Sequence, residues 1–438
     1  MKGCALRRHS RARGLRRSWD KALTLTLSRW ERGQGTESKR DDMHKAIASL
    51  LCIALWVVLT PAEAGHELPY YPSFYPHEIR VEVVPPEVVA TRLQQGTLQA
   101  YIGATPHFSA PPPAHVSLVS SLGTYLVVTF DGAAAQQWQP EQRCAVAQDM
   151  VSVLAEGATT YVFHPYPVTP YHGDYLYHFD RVEALKAQYL QRPAGRHETS
   201  PHPLTVRGHG ALAAQLVRPL WQHMEQPWDA TVEEIDVESL LSSHRSSLNG
   251  WLGPAWLKAG WFHAYLLLAE TVRDPQVKAA VEAIYERLVY GSYAGLEARL
   301  NAERELVALL QQGCERVIVG YTLRQEYVNT EFSAGIENLA YDSHTGLNSP
   351  LFVRTVKLKD LPWNGWLRLG VNTPPAAAWN PIAGLTDTTG RLLWHIVGDV
   401  AFYPAPYSGD WIANRIADYQ ALKGSAGGRE WAPGLEQR

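Results

Sequence analysis

The stretch that decides the fold runs from Ile79 to Ile102 and reads IRVEVVPPEVVATRLQQGTLQAYI. Ile79 to Val84 is a strand pattern. Pro85 and Pro86 end it, and Pro86 suits the first turn of a helix, where a missing N–H costs nothing. EVVATRLQQG carries that helix to Gly96, a residue suited to the position just past a helix end. Thr97 to Ile102 is again strand-like. Strand, helix and strand make a β-α-β unit with a short crossover, which points to an α/β architecture.

Working outward, the same alternation continues towards the C-terminus. Leu118 to Phe130 is expected to form a strand pair about Gly123. Pro140 to Ala155 is expected to be a helix and Thr159 to Phe163 a strand. An α/β domain over 79–190 follows, then a polar, Pro-rich linker at 191–206, QRPAGRHETSPHPLTV. Residues 207–312 are expected to be helical. Val277, Ala280, Val281, Ile284 and Leu288 recur at helical spacing, and Glu303 to Gln312 forms another helix stopped by Gly313. Residues 313–422 turn β-rich, with strands at Val317–Tyr321, Leu351–Leu358, Trp366–Val371 and Leu392–Val397. Residues 423–438 are expected to be a disordered tail. The fold class is therefore α/β and α+β: an N-terminal α/β domain, a central helical segment and a C-terminal β-rich segment. There is no internal repeat.

Towards the N-terminus the sequence changes character. Residues 65–78, GHELPYYPSFYPHE, hold three prolines that forbid a helix and are expected to form an extended aromatic arm. That arm suits docking to the body or to a periplasmic protein partner. Residues 43–64 carry a short basic start, the uncharged run AIASLLCIALWVVLT from Ala46 to Thr60, and the small-residue site Ala62-Glu63-Ala64. Together these are the marks of a cleaved secretory signal peptide. The alternative is a membrane anchor, but the run falls short of the ~20 residues that span a bilayer. Cys52 lies inside the run behind Leu51, which argues against lipid attachment. Residues 1–42 hold 12 Lys/Arg against 5 Asp/Glu and bury no face; they are expected to be a non-native upstream extension before a start at Met43.

Composition narrows the class further. The 438 residues are 46% hydrophobic and 19% charged, with 15 Trp, 21 Tyr, 9 Phe and 4 Cys. That is too apolar and aromatic for intrinsic disorder and too poor in Cys for a disulfide-dense scaffold. The formal net charge of −3 averages a basic leader with a remainder, from residue 65 on, of 27 Lys/Arg and 37 Asp/Glu. An acidic chain of this kind has no electrostatic footprint for nucleic acid. No second apolar run is long enough to span a membrane once the signal is cleaved. Cys144 and Cys314 remain, either as one bridge or as two buried thiols. The expected location is the periplasm or the secreted fraction.

Chemistry concentrates in Tyr161 to Asp180, YVFHPYPVTPYHGDYLYHFD. His164, His172, Asp174, His178 and Asp180 are the candidate metal ligands, since imidazole and carboxylate together suit a divalent transition metal such as Zn²⁺, Cu²⁺ or Fe²⁺. His-x-Asp occurs twice, and in an extended chain residues i and i+2 share a face. Tyr171, Tyr175 and Tyr177 are candidate ligand-binding side chains. Arg207 and His209 join them through Arg207-Gly208-His209-Gly210, which enters a helix whose free N–H groups suit an anion. A third set is Glu326, Glu331, Glu337, Asp342 and His344; paired carboxylates near many Trp suit glycoside hydrolysis. G-x-S-x-G, C-x-x-C, G-x-G-x-x-G and the Walker lysine are all absent.

The segment Leu93 to Gly103, LQQGTLQAYIG, resembles solute-binding proteins, in which a helix and a short strand alternate. The resemblance covers eleven residues. With the export signal, the acidic charge and the linker between domains, it fits a periplasmic binding or accessory protein; the His, Tyr and Asp of 161–180, placed beside the linker, are expected to line a site between domains for a small-molecule or metal ligand. Two enzymes are the alternatives: a secreted metal-dependent redox or hydrolytic enzyme using the 164–180 cluster, and a carbohydrate-active enzyme.

Overall fold

Two long strands, drawn from opposite halves of the chain, form the centre of the molecule. The computed structural model describes residues 74–130, 138–156, 158–191, 204–218, 220–221, 228–241, 255–361, 363–376, 385, 387–398, 401–415, 420–421 and 435–436. The expectations for the leader at 1–42, the signal at 43–64, most of the arm, most of the linker and most of the tail lie outside these residues. In chain order the strands of the main sheet are β1 (Pro76–Val83), β2 (Ala100–Ile102), β3 (Val116–Phe130), β4 (Val162–Phe163), β5 (Val206–His209), β6 (Ala230–Asp236), β7 (Arg316–Asn329) and, after two short strands β8 (Ile336–Asn338) and β9 (Lys357–Leu358), β10 (Gly365–Val371). Their order is β1-β10-β2-β7-β3-β6-β5, with β4 alongside β7. The β1, β10 and β2 strands run parallel, while β7 is antiparallel to β2, β3 and β4.

The α/β class holds: this is a mixed sheet covered by helices, with short strands beyond it. Strands from each of the segments 79–190, 207–312 and 313–422 run in the one sheet, and Tyr71–Arg438 forms one compact unit. The helices are α1 (Pro86–Gln94), α2 (Pro140–Glu156), α3 (Phe179–Leu190), α4 (Ala211–Val217), α5 (Gly260–Leu268), α6 (Pro275–Val289), α7 (Gly295–Leu310), α8 (Pro350–Thr355) and α9 (Thr388–Val397). The α6 helix starts as its sequence demands. Pro275 fills the first turn, and the Asp274 carboxylate accepts from the Gln276 and Val277 amides at 2.7 and 3.1 Å. Its Val281, Ile284 and Leu288 then form the buried stripe.

The pleat of β3 sends alternate residues to opposite layers. Tyr125 and Val127, with Ile318 and Tyr321 of β7, meet Phe262, Leu267, Ile284 and Leu306 of α5 to α7. Leu126 and Val128, with Val232, Val317 and Val319, meet Met150 and Leu154 of α2 and Ala213 of α4. Each such fully buried aliphatic or aromatic side chain contributes roughly 1.5–3 kcal/mol. The disulfide Cys144–Cys314 joins α2 to the entry of β7, which decides between the two expectations for these cysteines.

Four elements differ from expectation. Leu118 to Phe130 is not a strand pair but part of the single strand β3, interrupted by a bulge between Leu122 and Tyr125. A Cβ at Gly123 would stand 2.9–3.1 Å from Thr322 and the Arg324 amide, so glycine here permits a close approach and not a turn. The 207–312 segment also contains β6 and most of β5. Leu351–Leu358 is mostly helix α8, because Ser349 caps the Leu351 amide and Pro350 starts the turn. Leu392–Val397 belongs to α9, capped by Asp387. In both cases a capped start outweighs β-branched and aromatic content. The expected β-α-β unit is present, but β10 enters between its two strands.

Candidate metal centre

The Gly123 bulge has a local consequence. It shifts the pleat so that Tyr125 joins Leu122 on the face towards α5, where the Tyr125 hydroxyl is fully buried. Three other segments converge there. The loop from His164 to His178 crosses from β4 to α3. The apolar helix α5, GWFHAYLLL, carries one imidazole, His263. A turn closed by Asp342 and Gly346 carries His344.

His172, His263 and His344 are buried, and one ligand atom of each lies within 4.8 Å of the others. Their protons can be placed. The Thr169 amide donates to His172 Nδ1 at 2.9 Å. An amide N–H can only donate, so that nitrogen holds a lone pair and the His172 proton sits on Nε2. His172 Nε2 then donates to His263 Nδ1 at 3.1 Å, and His263 Nε2 donates to the Leu257 carbonyl at 3.2 Å. The Tyr125 hydroxyl donates to the Pro167 carbonyl at 3.2 Å and lies 3.3 and 3.1 Å from the two imidazoles. The His344 ring packs 5.1 and 5.0 Å from theirs. Burial, and then the neighbouring His263, hold His172 well below the usual imidazole range. His172 and His263 thus form a neutral chain of matched donors and acceptors, with the His344 ring packed against it.

A second group lies on the same loop. Asp174, His178 and Glu303 are 7%, 0% and 3% exposed, again with ligand atoms within 4.8 Å of one another. Asp174 accepts from the Gly260 and Trp261 amides at 2.8 and 3.3 Å, so it caps α5 from across the chain. Only glycine fits at 260, since a Cβ would stand 2.4–2.8 Å from Val168. His178 Nδ1 meets the Tyr166 hydroxyl at 3.0 Å, while its Nε2 has no hydrogen-bond partner among the described residues. Glu303 Oε1 lies 3.2 Å from Arg299 Nε, and its Oε2 likewise has no partner. Burial, with the Asp174 charge added, pushes the Glu303 carboxyl up to about 7, against the pull of Arg299. Burial brings His178 down to about 4, helped by Arg304.

The expected site residues therefore part company. The chain is not extended at 172–180, so neither His-x-Asp pair acts as a unit: His172 enters the imidazole chain and Asp174 and His178 the carboxylate group. His164 is buried and donates from Nε2 to the Val168 carbonyl at 2.8 Å. Asp180 is exposed, and Arg304 binds it with both nitrogens at 2.8 and 2.5 Å, holding it at about 2. Tyr171 and Tyr175 are half-buried, packed on Tyr321 and on His164 respectively. Tyr177 is 43% exposed and lines an open groove of about 700 Å³ with Arg181, Leu300 and Arg304. Arg207 and His209 lie on the edge strand β5, and Arg207 stacks 4.7 Å over Trp228. The expected anion place beside them is already filled: Glu234 accepts from the Leu212 and Ala213 amides at 2.8 and 3.2 Å.

The third carboxylate set is also spent locally. Glu326 accepts from the Gly103 and Leu347 amides at 2.9 and 2.6 Å, and Asp342 pairs with Lys258 and caps its own turn. Glu331 and Glu337 are exposed. Sequence reasoning passed over Tyr125, His263 and Glu303 and placed His344 in this third set. Two of these carry a signal in hindsight. His263 is the only strongly polar side chain of an apolar helix, and Glu303 falls in the buried stripe with Ala302, Leu306 and Leu310.

No protein-family model matches the chain, and no curated protein matches it. Among solved structures it is similar to the oligopeptide-binding protein OppA, at 10% identity over 59% of this chain and 52% of that one, with a TM-score of 0.34. It is similar to Haemophilus influenzae OppA in complex with RPPGFSPFR, at 11% identity over 63% and 56%, TM-score 0.37. It is also similar to a nickel ABC transporter from Bacillus halodurans, at 13% identity over 58% of each chain, TM-score 0.32. The chain thus spans little more than half the length of these structures. Overlaps at this TM-score say nothing of what this chain binds.

Proposed function

We propose that this is a secreted metal-binding protein, located in the periplasm or outside the cell, which takes one divalent transition-metal ion into the polar core between the sheet and α5 to α7. The observation that carries the reading is the convergence of buried imidazoles and carboxylates from the 164–178 loop, α5, α7 and the 342–346 turn, in a layer otherwise apolar. Burying that much polarity is costly unless it is matched or neutralised. Location is supported by the sequence at 43–64 and by the disulfide, since such bridges persist in oxidising compartments. No helix among the described residues is long and apolar enough to cross a membrane.

Elemental analysis of the purified full chain tests the reading. About one equivalent of a divalent transition metal is expected, removable by chelator and restored by adding Zn²⁺ alone. At ~100 times its dissociation constant the ion would stabilise the fold by about 2.7 kcal/mol, visible as a raised Tm. A chain that stays metal-free and shows no shift in Tm with Zn²⁺, Mn²⁺, Fe²⁺ or Ni²⁺ overturns it.

A further inference from the structure

Resting on that reading, we infer that the ion is held by Asp174, His178 and Glu303, and not by the hydrogen-bonded pair His172 and His263. Three imidazoles look like the better zinc site by residue type, but the hydrogen bonds of two of them, His172 and His263, decide otherwise. A ligand nitrogen must offer a lone pair. His172 Nδ1 spends its lone pair on the Thr169 amide, and its Nε2 carries the proton given to His263. His263 Nε2 is committed as a donor to Leu257. Binding an ion here would strip His172 of a backbone hydrogen bond and break the chain at two links.

The carboxylate group has the opposite character. Two of its atoms, His178 Nε2 and Glu303 Oε2, are buried and have no hydrogen-bond partner among the described residues. His178 Nδ1 is held by the Tyr166 hydroxyl, and in the tautomer whose Nδ1–H donates to that oxygen Nε2 presents its lone pair, the arrangement found where a hydrogen-bond partner orients a metal-ligating histidine. Asp174 is held in place by two backbone amides and keeps further lone pairs. Donors about 2.0–2.2 Å from one ion stand about 3–4 Å apart, so atoms already within 4.8 Å close on it with shifts of about 1 Å. When both are ionised, Asp174 and Glu303 beside Arg299 leave one uncompensated negative charge, and a divalent cation reverses that sign. An O, O, N donor set suits Zn²⁺ or Fe²⁺, which are of borderline hardness, and also the harder Mn²⁺.

The test uses chelator-stripped full-length chain titrated with Zn²⁺ alone. Glu303→Gln keeps the shape of the side chain and is expected to weaken binding at least about 100-fold, as is His178→Gln. His263→Gln is expected to keep the stoichiometry and to stay within about 3-fold in affinity. Nitrogen-15 NMR of the unmutated protein gives a readout free of folding effects: Zn²⁺ should move His178 Nε2 while His172 Nε2 and His263 Nε2 keep their protons. Zn²⁺ bound normally by Glu303→Gln, or loss of the His172 Nε2 proton on binding, overturns this assignment while leaving the protein a metal binder. No Zn²⁺, Mn²⁺, Fe²⁺ or Ni²⁺ bound by the unmutated chain overturns the functional reading itself.

Discussion

The imidazole chain and the carboxylate group begin two residues apart, at His172 and Asp174, and they handle buried polarity in opposite ways. In the first, each N–H of His172 and His263 has an acceptor, and the network runs from the Thr169 amide to the Leu257 carbonyl without a net charge. In the second, one oxygen and one nitrogen are buried with no hydrogen-bond partner among the described residues, and two carboxylates lie near Arg299. A matched chain is rigid and self-sufficient, whereas an unmatched group calls for a proton or an ion. Residue type alone would have ranked the two the other way round.

Substitutions should separate them, beginning with the largest effect. Asp174→Ala removes both the cap of α5 and a proposed ligand; a loss of about 3 kcal/mol in denaturant unfolding is expected, together with loss of Zn²⁺ binding. Asp174→Asn should recover part of the stability and little of the metal. His263→Leu should cost about 2 kcal/mol, because the His172 Nε2 proton and the Leu257 carbonyl lose their partner, yet Zn²⁺ stoichiometry should persist. An equal loss of metal in this variant would erase the distinction between the two groups.

Glu303→Gln should act with the other sign. In stripped protein the Glu303 carboxyl is raised from 4.5 to about 7, so the folded state holds more protons than the unfolded state between those values. Stability from this group is therefore full below about pH 4.5 and is lost as pH rises through about 7. Unfolding curves of the Gln variant should lack that decline and lie at or above those of the parent at pH 8. The smallest effect belongs to Tyr166→Phe. It leaves His178 without its orienting hydroxyl, and should cost about 1 kcal/mol and about 10-fold in Zn²⁺ affinity by calorimetric titration.

Much of the fold was legible from local signals. The span Ile79–Ile102 gave the alternation, Pro140 marked a real helix start, and Gly313 lies just beyond the end of α7 at Leu310. What local patterns could not give was which strands lie side by side: β10 enters between β1 and β2 from far along the chain. The site was legible by half. The loop from His164 to Asp180 was located, but i and i+2 share a face only in an extended chain, and a 3-10 turn at Tyr175–Tyr177 rotates His178 inward and leaves Asp180 outside. Glu303 was hidden because a carboxylate on an amphipathic helix of an acidic protein is ordinarily solvated.

The pairing of β3 with β7 also sets a timetable. Val116–Phe130 finds its main partner only once Arg316–Asn329 exists, and β1 waits until Gly365–Val371. Loops of this length must close before non-local pairing stabilises anything, so the first two-thirds of the chain has no complete sheet to fold into. For the exported protein proposed above, the delay is useful. The chain remains threadable during synthesis, and its core, with the loop that bears Asp174 and His178, is assembled only after the last third has arrived.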